Sequence, residues 1–307
     1  MTRPLLLASA ALCLLAAGAS TVESPPEVEP PEVEPPKAAP PRVERVGRLE
    51  AEALNESSGL AASSRHPGVF WTHNDSGGAP VLYAMDARGT HLGAVRVSGA
   101  TAKDWESIAA RDGLLYVGDV GNNANRRKDL AVHVVPEPDV TADSVAVERT
   151  VRFRYPDQTE FPPAARNFDA EALFHDGDDL YLLTKHRGDT ETTLYRFPRA
   201  PFETDARATV LTKLATFDVG GADAPFGGMV TAADLRGDGE RLAVLTYHAL
   251  FVFDRPEAPE RWLEAPRLVL PLDPATAAQC EALAWDGDDL VFTNEGRGVF
   301  RVRAPGG

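Results

Sequence analysis

The sequence predicts an all-β fold, a β-propeller of five four-stranded blades. From Arg45 onward, short apolar runs with period-two alternation are separated by clusters of Gly, Asp and Asn, and convincing helical periodicity is absent. A strand–turn–strand unit recurs five times along this region. The last unit lacks its closing strand, and Arg45–Glu50 has the pattern to supply it. A six-bladed ring with one further, undetected blade is the alternative.

The clearest unit is Lys103–Asn123, which reads as two short strands joined by a turn at Asp112-Gly113. A hairpin places the start of its first strand beside the end of its second, so the polar residues at both ends meet at one edge. Weaker copies of this hairpin open with a small or polar residue that is followed by an aliphatic one. The opening positions of the units are Ser58, Glu106, Glu171, Ala233 and Glu281.

Further strands follow the opening strand of each unit. Second strands are predicted at Val69–His73, Leu114–Gly118, Leu180–Thr184, Leu242–Thr246 and Leu290–Thr293. Third strands are predicted at Val81–Met85, Ala131–Val135, Thr193–Phe197, Ala249–Phe253 and Gly298–Val302. Fourth strands are predicted at His91–Val97, Val147–Tyr155, Val210–Val219 and Leu268–Leu272. Pairing of the N-terminal strand into the last blade closes the ring and removes a long exposed edge.

The region before the propeller divides into two segments. Residues 1–19 are typical of a secretory signal peptide, with Arg3 before an apolar run and Ala17-Gly18-Ala19 as the cleavage pattern. Residues 20–42 form a linker rich in Pro and Glu that is expected to be extended. The propeller domain is predicted at 43–304. The chain is therefore expected to be secreted or periplasmic; lipoprotein anchoring through Cys13 is disfavoured because Leu12 stands where a small residue is needed.

The charge of the chain limits its partners. The formal net charge is −15 and the pI is about 4.9, so nucleic acid and anionic membrane are not expected to bind. The apolar run of the signal peptide is too short to be a comfortable membrane span. Once the signal peptide is removed, Cys280 is the only cysteine, so no intramolecular disulfide can form. A monomer held together by its apolar core is expected.

The predicted site lies where the inner strands begin and the second strands end, because loops at that face surround the central channel of a propeller. Period two places Asp104 with Glu106, and Asp169 with Glu171, on one side of their strands. The second strands end in polar residues, several of which are followed by another. These residues are Asn74, Asp119, Lys185, Tyr247 and Asn294, followed by Asp75, His186, His248 and Glu295.

A ring of carboxylates and carboxamides at one opening predicts a cation site. Like carboxylates raise each other's pKa unless a cation neutralises them, and Ca²⁺ accepts such oxygen ligands in irregular geometry. Alternatively, these side chains pin turns by accepting backbone N–H bonds. The expected metal ligands are Glu106, Asp119, Glu281 and Asn294, with Asn74 or Glu171 as alternates. The expected ligand-binding residues around them are Asp104, Asp169, Lys185, His186, Tyr247, Asp75 and Glu295.

The segments DWESIA, YVGDVGNN, HNDSGG and CEALAW…TNEG resemble a family of secreted bacterial β-propeller proteins, over Leu54–Val302. More loosely, the chain is similar to the six-bladed calcium-dependent lactonases of the SMP-30/gluconolactonase type and to propellers called "esterase-like activity of phytase". That resemblance implies a central divalent cation held by Glu, Asn and Asp. The candidates that it implies are Glu106, Asn74, Asp119 and Asn294.

Two functions are compatible with this site. The first is a binding module for a small molecule or a cell-envelope partner, with an acidic mouth that can hold a divalent cation. The second is a metal-dependent hydrolase of an ester, lactone or phosphoester, in which Glu106 or Glu171 is the catalytic base. Glu171 with Lys185 and His186 forms either an acid–base group or a buried ion pair. No complete catalytic motif occurs, which favours the binding module.

Overall fold

The computed structural model describes residues 41–203 and 208–304, which form five small antiparallel sheets arranged as a ring. The innermost strand of each sheet contacts the innermost strands of the two neighbouring sheets, and the last contacts the first. The predicted five-bladed propeller is therefore confirmed, and the six-bladed alternative is wrong. Apart from Pro41 and Arg42, the predicted signal peptide and linker lie outside the described residues. Within those residues, no helix has the length and apolar character needed to cross a membrane.

The strands are numbered in chain order. The N-terminal strand is β1 (Val43–Arg48). The first blade contains β2 (Ser57–Ala62), β3 (Phe70–Asn74), β4 (Val81–Met85) and β5 (His91–Ser98). The second contains β6 (Trp105–Arg111), β7 (Leu114–Asp119), β8 (Ala131–Pro136) and β10 (Arg149–Arg154), with the short β9 (Ser144–Ala146) between the last two.

The remaining blades follow the same order. The third contains β11 (Asp169–Asp176), β12 (Asp179–Lys185), β13 (Glu191–Arg196) and β15 (Thr212–Asp218), with α1 (Ala200–Glu203) and β14 (Thr209–Val210) between the last two. The fourth contains β16 (Val230–Leu235), β17 (Arg241–Thr246), β18 (Ala249–Asp254), a 3-10 turn (Pro259–Arg261) and β19 (Leu268–Pro271). After α2 (Pro274–Ala277), the fifth contains β20 (Cys280–Asp286), β21 (Asp289–Asn294) and β22 (Gly298–Val302).

Strand β1 closes the ring as the sequence predicts. It pairs antiparallel with β22, so that Val43 lies opposite Val302 and Arg48 opposite Gly298. The strand begins and ends two residues before the predicted Arg45–Glu50. The fifth blade is thereby completed by the N-terminal end of the propeller, and the edge of β22 is paired rather than exposed.

Two of the predicted fourth strands have other bounds in the structure, which corrects the sequence interpretation. The predicted strand Val147–Tyr155 begins only at Arg149, and the predicted strand Val210–Val219 is split between β14 and β15. The chain before each fourth strand reaches back to the preceding blade: β9 pairs parallel with β5, and β14 pairs parallel with β10. These additions cover the outer edges of the first and second blades, where unpaired backbone groups would otherwise be exposed.

The apolar core is divided into five clusters, each of which lies between two neighbouring blades. Between the first and second blades, Trp71 and Trp105 are almost completely buried with Leu82 and Ile108. Burial of one large apolar side chain contributes about 1.5–3 kcal/mol. Each cluster joins two blades, so these tryptophans pack between blades, and no disulfide is needed to hold the described residues together.

Gly47 allows β1 to pass against the first blade, and it provides a test of ring closure. A Cβ at this position would overlap the backbone carbonyl of Arg88, in the turn between β4 and β5. Gly47→Ala should therefore lower the free energy of unfolding by about 1–3 kcal/mol, because the backbone on both sides must move. Urea denaturation measures the change. Gly237→Ala is the matched control, since its Cβ would meet no atom within 4 Å. Equal midpoints for the two variants would contradict this account of the closure.

Candidate functional site

A β-bulge recurs at the same place in all five inner hairpins and puts one residue of each inner strand at the central channel. In the second blade, Trp105 pairs with Asp119 and Ser107 with Gly118, so Glu106 is the extra residue. A bulge gives one strand a residue without a partner and redirects its side chain. The equivalent extra residues are Ser58 (with Gly59), Glu171, Thr231 and Glu281.

This register corrects the sequence alignment in the fourth blade. The predicted equivalent of Glu106 there was Ala233, whereas the bulge falls at Thr231, two residues earlier. Thr231 Oγ1 donates a hydrogen bond to the carbonyl of Cys280 on the neighbouring inner strand, at 2.7 Å. The sequence itself indicates this assignment, because Glu171 precedes Gly177 by as many residues as Thr231 precedes Gly237. Each glycine lies in the turn that follows the inner strand.

The second strands need a correction of one residue. The residue before each bulge pairs with Asn74, Asp119 and Asn294 in the first, second and fifth blades, but with Thr184 and Thr246 in the third and fourth. Lys185 and Tyr247 are thus equivalent to Asp75 and Glu295, one position further along. A shift of one residue turns a side chain to the other face of a strand. The residues of this second series are Asp75, Lys185, Tyr247 and Glu295, with Val120 in the second blade.

Lys185 is the centre of a buried network that joins three blades. Its Nζ lies 2.9 Å from Glu171 Oε1 and 3.8 Å from Glu281 Oε2, and it donates a hydrogen bond of 3.0 Å to the hydroxyl of Tyr247. That hydroxyl in turn donates to Glu281 Oε1 at 2.5 Å. These residues come from the third, fourth and fifth blades, so one ammonium group links three blades.

The burial of these groups shifts their pKa values. Burial raises the pKa of Glu171 and of Glu281, although Lys185 opposes both shifts. Burial alone would lower the pKa of Lys185, but Glu171 and Glu281 raise it well above its ordinary value. The lysine is therefore a permanent cation. Among the described residues, the second carboxylate oxygens Glu171 Oε2 and Glu281 Oε2 are buried without a hydrogen-bond partner.

Three carboxylates from the first and second blades meet beside this network. Oxygen atoms of Asp75, Asp104 and Glu106 all lie within 4.8 Å of one another. Burial raises the pKa of Asp104 to about 6, and Asp75 and Asp169 contribute to that increase. Burial also raises the pKa of Glu106 well above its usual range, with further contributions from Glu171 and Asp75. These three residues are called the mouth cluster below.

The mouth cluster is held in place by neighbours on both sides. Ser58 Oγ donates a hydrogen bond of 2.8 Å to Glu106 Oε2. The backbone of Gly121 lies directly against the carboxylates, because a Cβ there would lie 2.5 Å from Asp104 Oδ2 and 2.6 Å from Glu106 Oε1. Only glycine leaves this space free. Neither Gly121 nor Ser58 was among the predicted site residues.

A cavity of about 200 Å³ adjoins the mouth cluster. It contains four carboxylate side chains and three serines, and Asp75 belongs both to the cavity and to the cluster. Burial also raises the pKa of Glu295 at its rim, and Glu56 raises it further. The lining residues are Glu56, Ser57, Ser58, Asp75, Ser76, Glu281 and Glu295.

Three of the expected metal ligands, counting the alternate Asn74, have their side-chain groups engaged with loops. Asn74 Oδ1 accepts hydrogen bonds from the backbone of Asn55 and Glu56, and Asn294 Oδ1 accepts one from Gly298. Asp119 accepts from the backbone of Asp104 at 3.2 Å and forms an ion pair with Arg127 at 2.7 Å. These contacts match the turn-pinning alternative. The structure thus distributes the five residues, since Glu106 is in the mouth cluster and Glu281 is in the network of Lys185.

Two further predicted residues also lie in other contact groups. Asp169 is completely buried, accepts a hydrogen bond from the backbone of Asn122, and pairs with Arg187 at 2.8 Å. His186 contacts Asp189 rather than Glu171. The expected group of Glu171, Lys185 and His186 is therefore reduced to the buried Glu171–Lys185 ion pair, because adjacent residues of a strand point to opposite faces.

Replacement of Lys185 tests whether its charge holds the channel together. Lys185→Met leaves two buried carboxylates without a counter-ion and should cost about 3–5 kcal/mol of stability at pH 8. The folded-state pKa values of Glu171 and Glu281 lie above the ordinary 4.5. Protonation of these carboxylates therefore favours the folded state, and the stability that protonation provides is lost as the pH rises. The deficit should therefore be smaller at pH 5, as measured by urea denaturation.

Lys213→Met is the matched control for this prediction. Lys213 also forms an ion pair, with Asp157 at 2.8 Å, but the pair is partly exposed to solvent. Its loss should cost no more than about 1 kcal/mol at either pH. Similar effects for the two lysines would show that the Lys185 network contributes little to stability.

Comparisons with known proteins identify no relative of this chain, so the fold and the geometry of the mouth are the basis for its function. No protein-family model matches the chain, and no curated protein gives a significant match. A propeller fold by itself hosts both binding proteins and enzymes. The features that bear on function are therefore the mouth cluster, the adjoining cavity and the Lys185 network.

Proposed function

We propose that this protein is a ligand-binding β-propeller whose channel mouth binds a divalent cation on Asp75, Asp104 and Glu106. The observation that carries the proposal is the convergence of three carboxylates, whose oxygens lie within 4.8 Å of one another. Ca²⁺ binds oxygen at 2.3–2.6 Å, so two ligands on opposite sides of the ion are about 4.6–5.2 Å apart. One ion can thus contact all three side chains.

The distribution of charge supports a cation at this position. Lys185 is already shared by Glu171 and Glu281, and Arg127 is paired with Asp119 and Asp129. Within residues 41–203 and 208–304, no ion pair involves Asp75, Asp104 or Glu106. Three buried or half-buried carboxylates at one place repel each other unless a cation or protons neutralise them. A bound divalent ion would provide this neutralisation and displace the protons.

The donor set favours calcium among the divalent cations. The three ligands are hard carboxylate oxygens with no imidazole or thiolate, and the serines of the adjoining cavity add hydroxyl oxygens. Ca²⁺ accepts six to eight oxygens, so three side chains leave positions for water or for oxygen atoms of a ligand in the cavity. We propose an oxygen-rich small molecule or cell-envelope component as that ligand. The predicted export signal agrees with this proposal.

Calcium binding can be measured through stability. At a Ca²⁺ concentration of about 100 times Kd, the folded state should gain about 2.7 kcal/mol, which raises the melting temperature relative to the protein in EDTA.

Asp104→Asn and Glu106→Gln should each weaken binding at least tenfold in calorimetric titration, because each removes a charged ligand. Gly121→Ala should weaken it as well, since its Cβ would displace two ligands. Affinity should fall below about pH 6 as Asp104 takes up its proton.

Glu240→Gln is the matched control for the calcium experiment. It removes one negative charge from an exposed turn between β16 and β17, at the opposite end of its blade from the mouth. Its calcium affinity should equal that of the unmodified protein. The proposed cation site would be contradicted if Asp104→Asn and Glu106→Gln kept the full calcium affinity. It would also be contradicted if no divalent ion raised the melting temperature.

A metal-dependent hydrolase is the second candidate, and one specific observation favours it. The Tyr247 hydroxyl and the Lys185 ammonium lie beside Glu281, which lines the cavity, so proton donors are close to the proposed ligand position. In this case the ion would polarise the substrate oxygen, and Glu106 or Glu171 would act as base. Ca²⁺-dependent turnover of an ester, lactone or phosphoester panel is then expected, with loss in Tyr247→Phe and Glu106→Gln. Calcium binding without turnover of any substrate class leaves the binding module.

A further inference from the structure

The loop between β12 and β13 carries a second group of ligand atoms, outside the mouth cluster. We propose that His186, Asp189 and Glu191 form a binding site for a divalent transition-metal ion such as Zn²⁺. Their imidazole nitrogen and carboxylate oxygens all lie within 4.8 Å of one another. The site shares no residue with Asp75, Asp104 and Glu106, so it does not depend on the calcium proposal.

A zinc site requires these atoms to come closer to one another than the 4.8 Å within which they lie. Zn²⁺ binds nitrogen and oxygen at about 2.0–2.2 Å, so tetrahedral ligands lie about 3.4 Å apart. The imidazole is held in the protein, because the His186 side chain is only 4% exposed, whereas the Asp189 side chain is 38% exposed. Glu191 is exposed at the start of β13. Asp189 Oδ1 already lies 2.7 Å from His186 Nδ1 and also accepts the backbone N–H of Glu191. The exposed Glu191 side chain can rotate towards the fixed nitrogen without movement of the core.

Neighbouring residues orient the ligands as in protein metal sites. His186 Nε2 lies 3.3 Å from Thr193 Oγ1, and Asn167 Nδ2 donates a hydrogen bond of 2.7 Å to Asp189 Oδ2. Metal-binding imidazoles and carboxylates commonly have such partners on the atom that does not bind the ion. In addition, Asn167 Oδ1 is buried and lacks a hydrogen-bond partner among the described residues.

The imidazole can expose the nitrogen that binding requires. His186 Nδ1 lies 2.7 Å from Asp189 Oδ1, a contact in which Nδ1–H donates to the carboxylate. When an ion binds Nδ1, the proton is carried on Nε2 instead, and Nε2–H donates to Thr193 Oγ1. The neutral imidazole thus changes tautomer, and no net proton is released. Thr193 can accept because its hydroxyl can donate to Thr216 Oγ1, 3.0 Å away.

A cavity of about 190 Å³ lies beside these ligands and is lined by His186, Glu191 and Asn167. Lys213 also lines it, but its ammonium is paired with Asp157 at 2.8 Å. No ion pair of Glu191 occurs within the described part of the chain. The site therefore keeps a net negative charge. Its imidazole nitrogen favours Zn²⁺ over Ca²⁺, which prefers oxygen alone.

Calorimetric titration of the purified protein with Zn²⁺, in the presence of saturating Ca²⁺, tests this proposal. One Zn²⁺ should bind, and His186→Gln and Glu191→Gln should each weaken the affinity at least tenfold. Substitution of Co²⁺ should give visible absorption that is lost in His186→Gln. Because Glu191 is exposed, Glu191→Gln is expected to fold normally and decides the result alone if His186→Gln does not fold.

His66→Gln is the matched control. His66 lies 3.8 Å from Asp139 and belongs to none of the three-ligand groups found in the described residues. Its zinc affinity should equal that of the unmodified protein, and so should that of Asp104→Asn. No zinc binding, full affinity in Glu191→Gln, or an equal loss in His66→Gln would overturn the proposal.

Discussion

The closure of five inner strands into one ring forces acidic side chains together, and the Lys185 ammonium is the main compensation for this crowding. Lys185 belongs to the third blade, yet it contacts Tyr247 of the fourth and lies near Glu281 of the fifth. An ion pair of this kind seldom adds stability compared with apolar packing, but loss of one partner leaves a buried charge. The network therefore constrains which residues the other blades can place at the axis.

Neutralisation by Lys185 is one-sided, and this asymmetry defines the candidate site. The ammonium lies with Glu171 and Glu281, whereas Asp75, Asp104 and Glu106 on the first and second blades have no ion-pair partner in the described residues. Charged pairs that are out of solvent interact strongly. The third, fourth and fifth blades thus supply carboxylates that share one ammonium group, and the first and second supply carboxylates without one, which can attract a cation.

Much of the fold could be predicted from the sequence, because alternation, turn residues and repetition are local signals. The site was predicted less well, because a β-bulge interrupts the period-two alternation of side chains along a strand. Asn74 and Asp75 are adjacent in sequence, but Asn74 fixes a loop whereas Asp75 joins the mouth cluster. Likewise, Thr231 rather than Ala233 is the bulged residue of the fourth blade. The pairing of Lys185 with both Glu171 and Glu281 depends on ring closure, which no local pattern encodes.

The repeated bulge also explains how one scaffold can present different chemistry at its channel. At each bulge the inner strand gains a residue that pairs with nothing, so its side chain can change without the loss of a ladder hydrogen bond. In this chain the five positions carry two hydroxyl residues and three glutamates. The position that ends or follows the second strand then decides the net charge at the channel. Lys185 cancels part of the negative charge, and Asp75 adds to it.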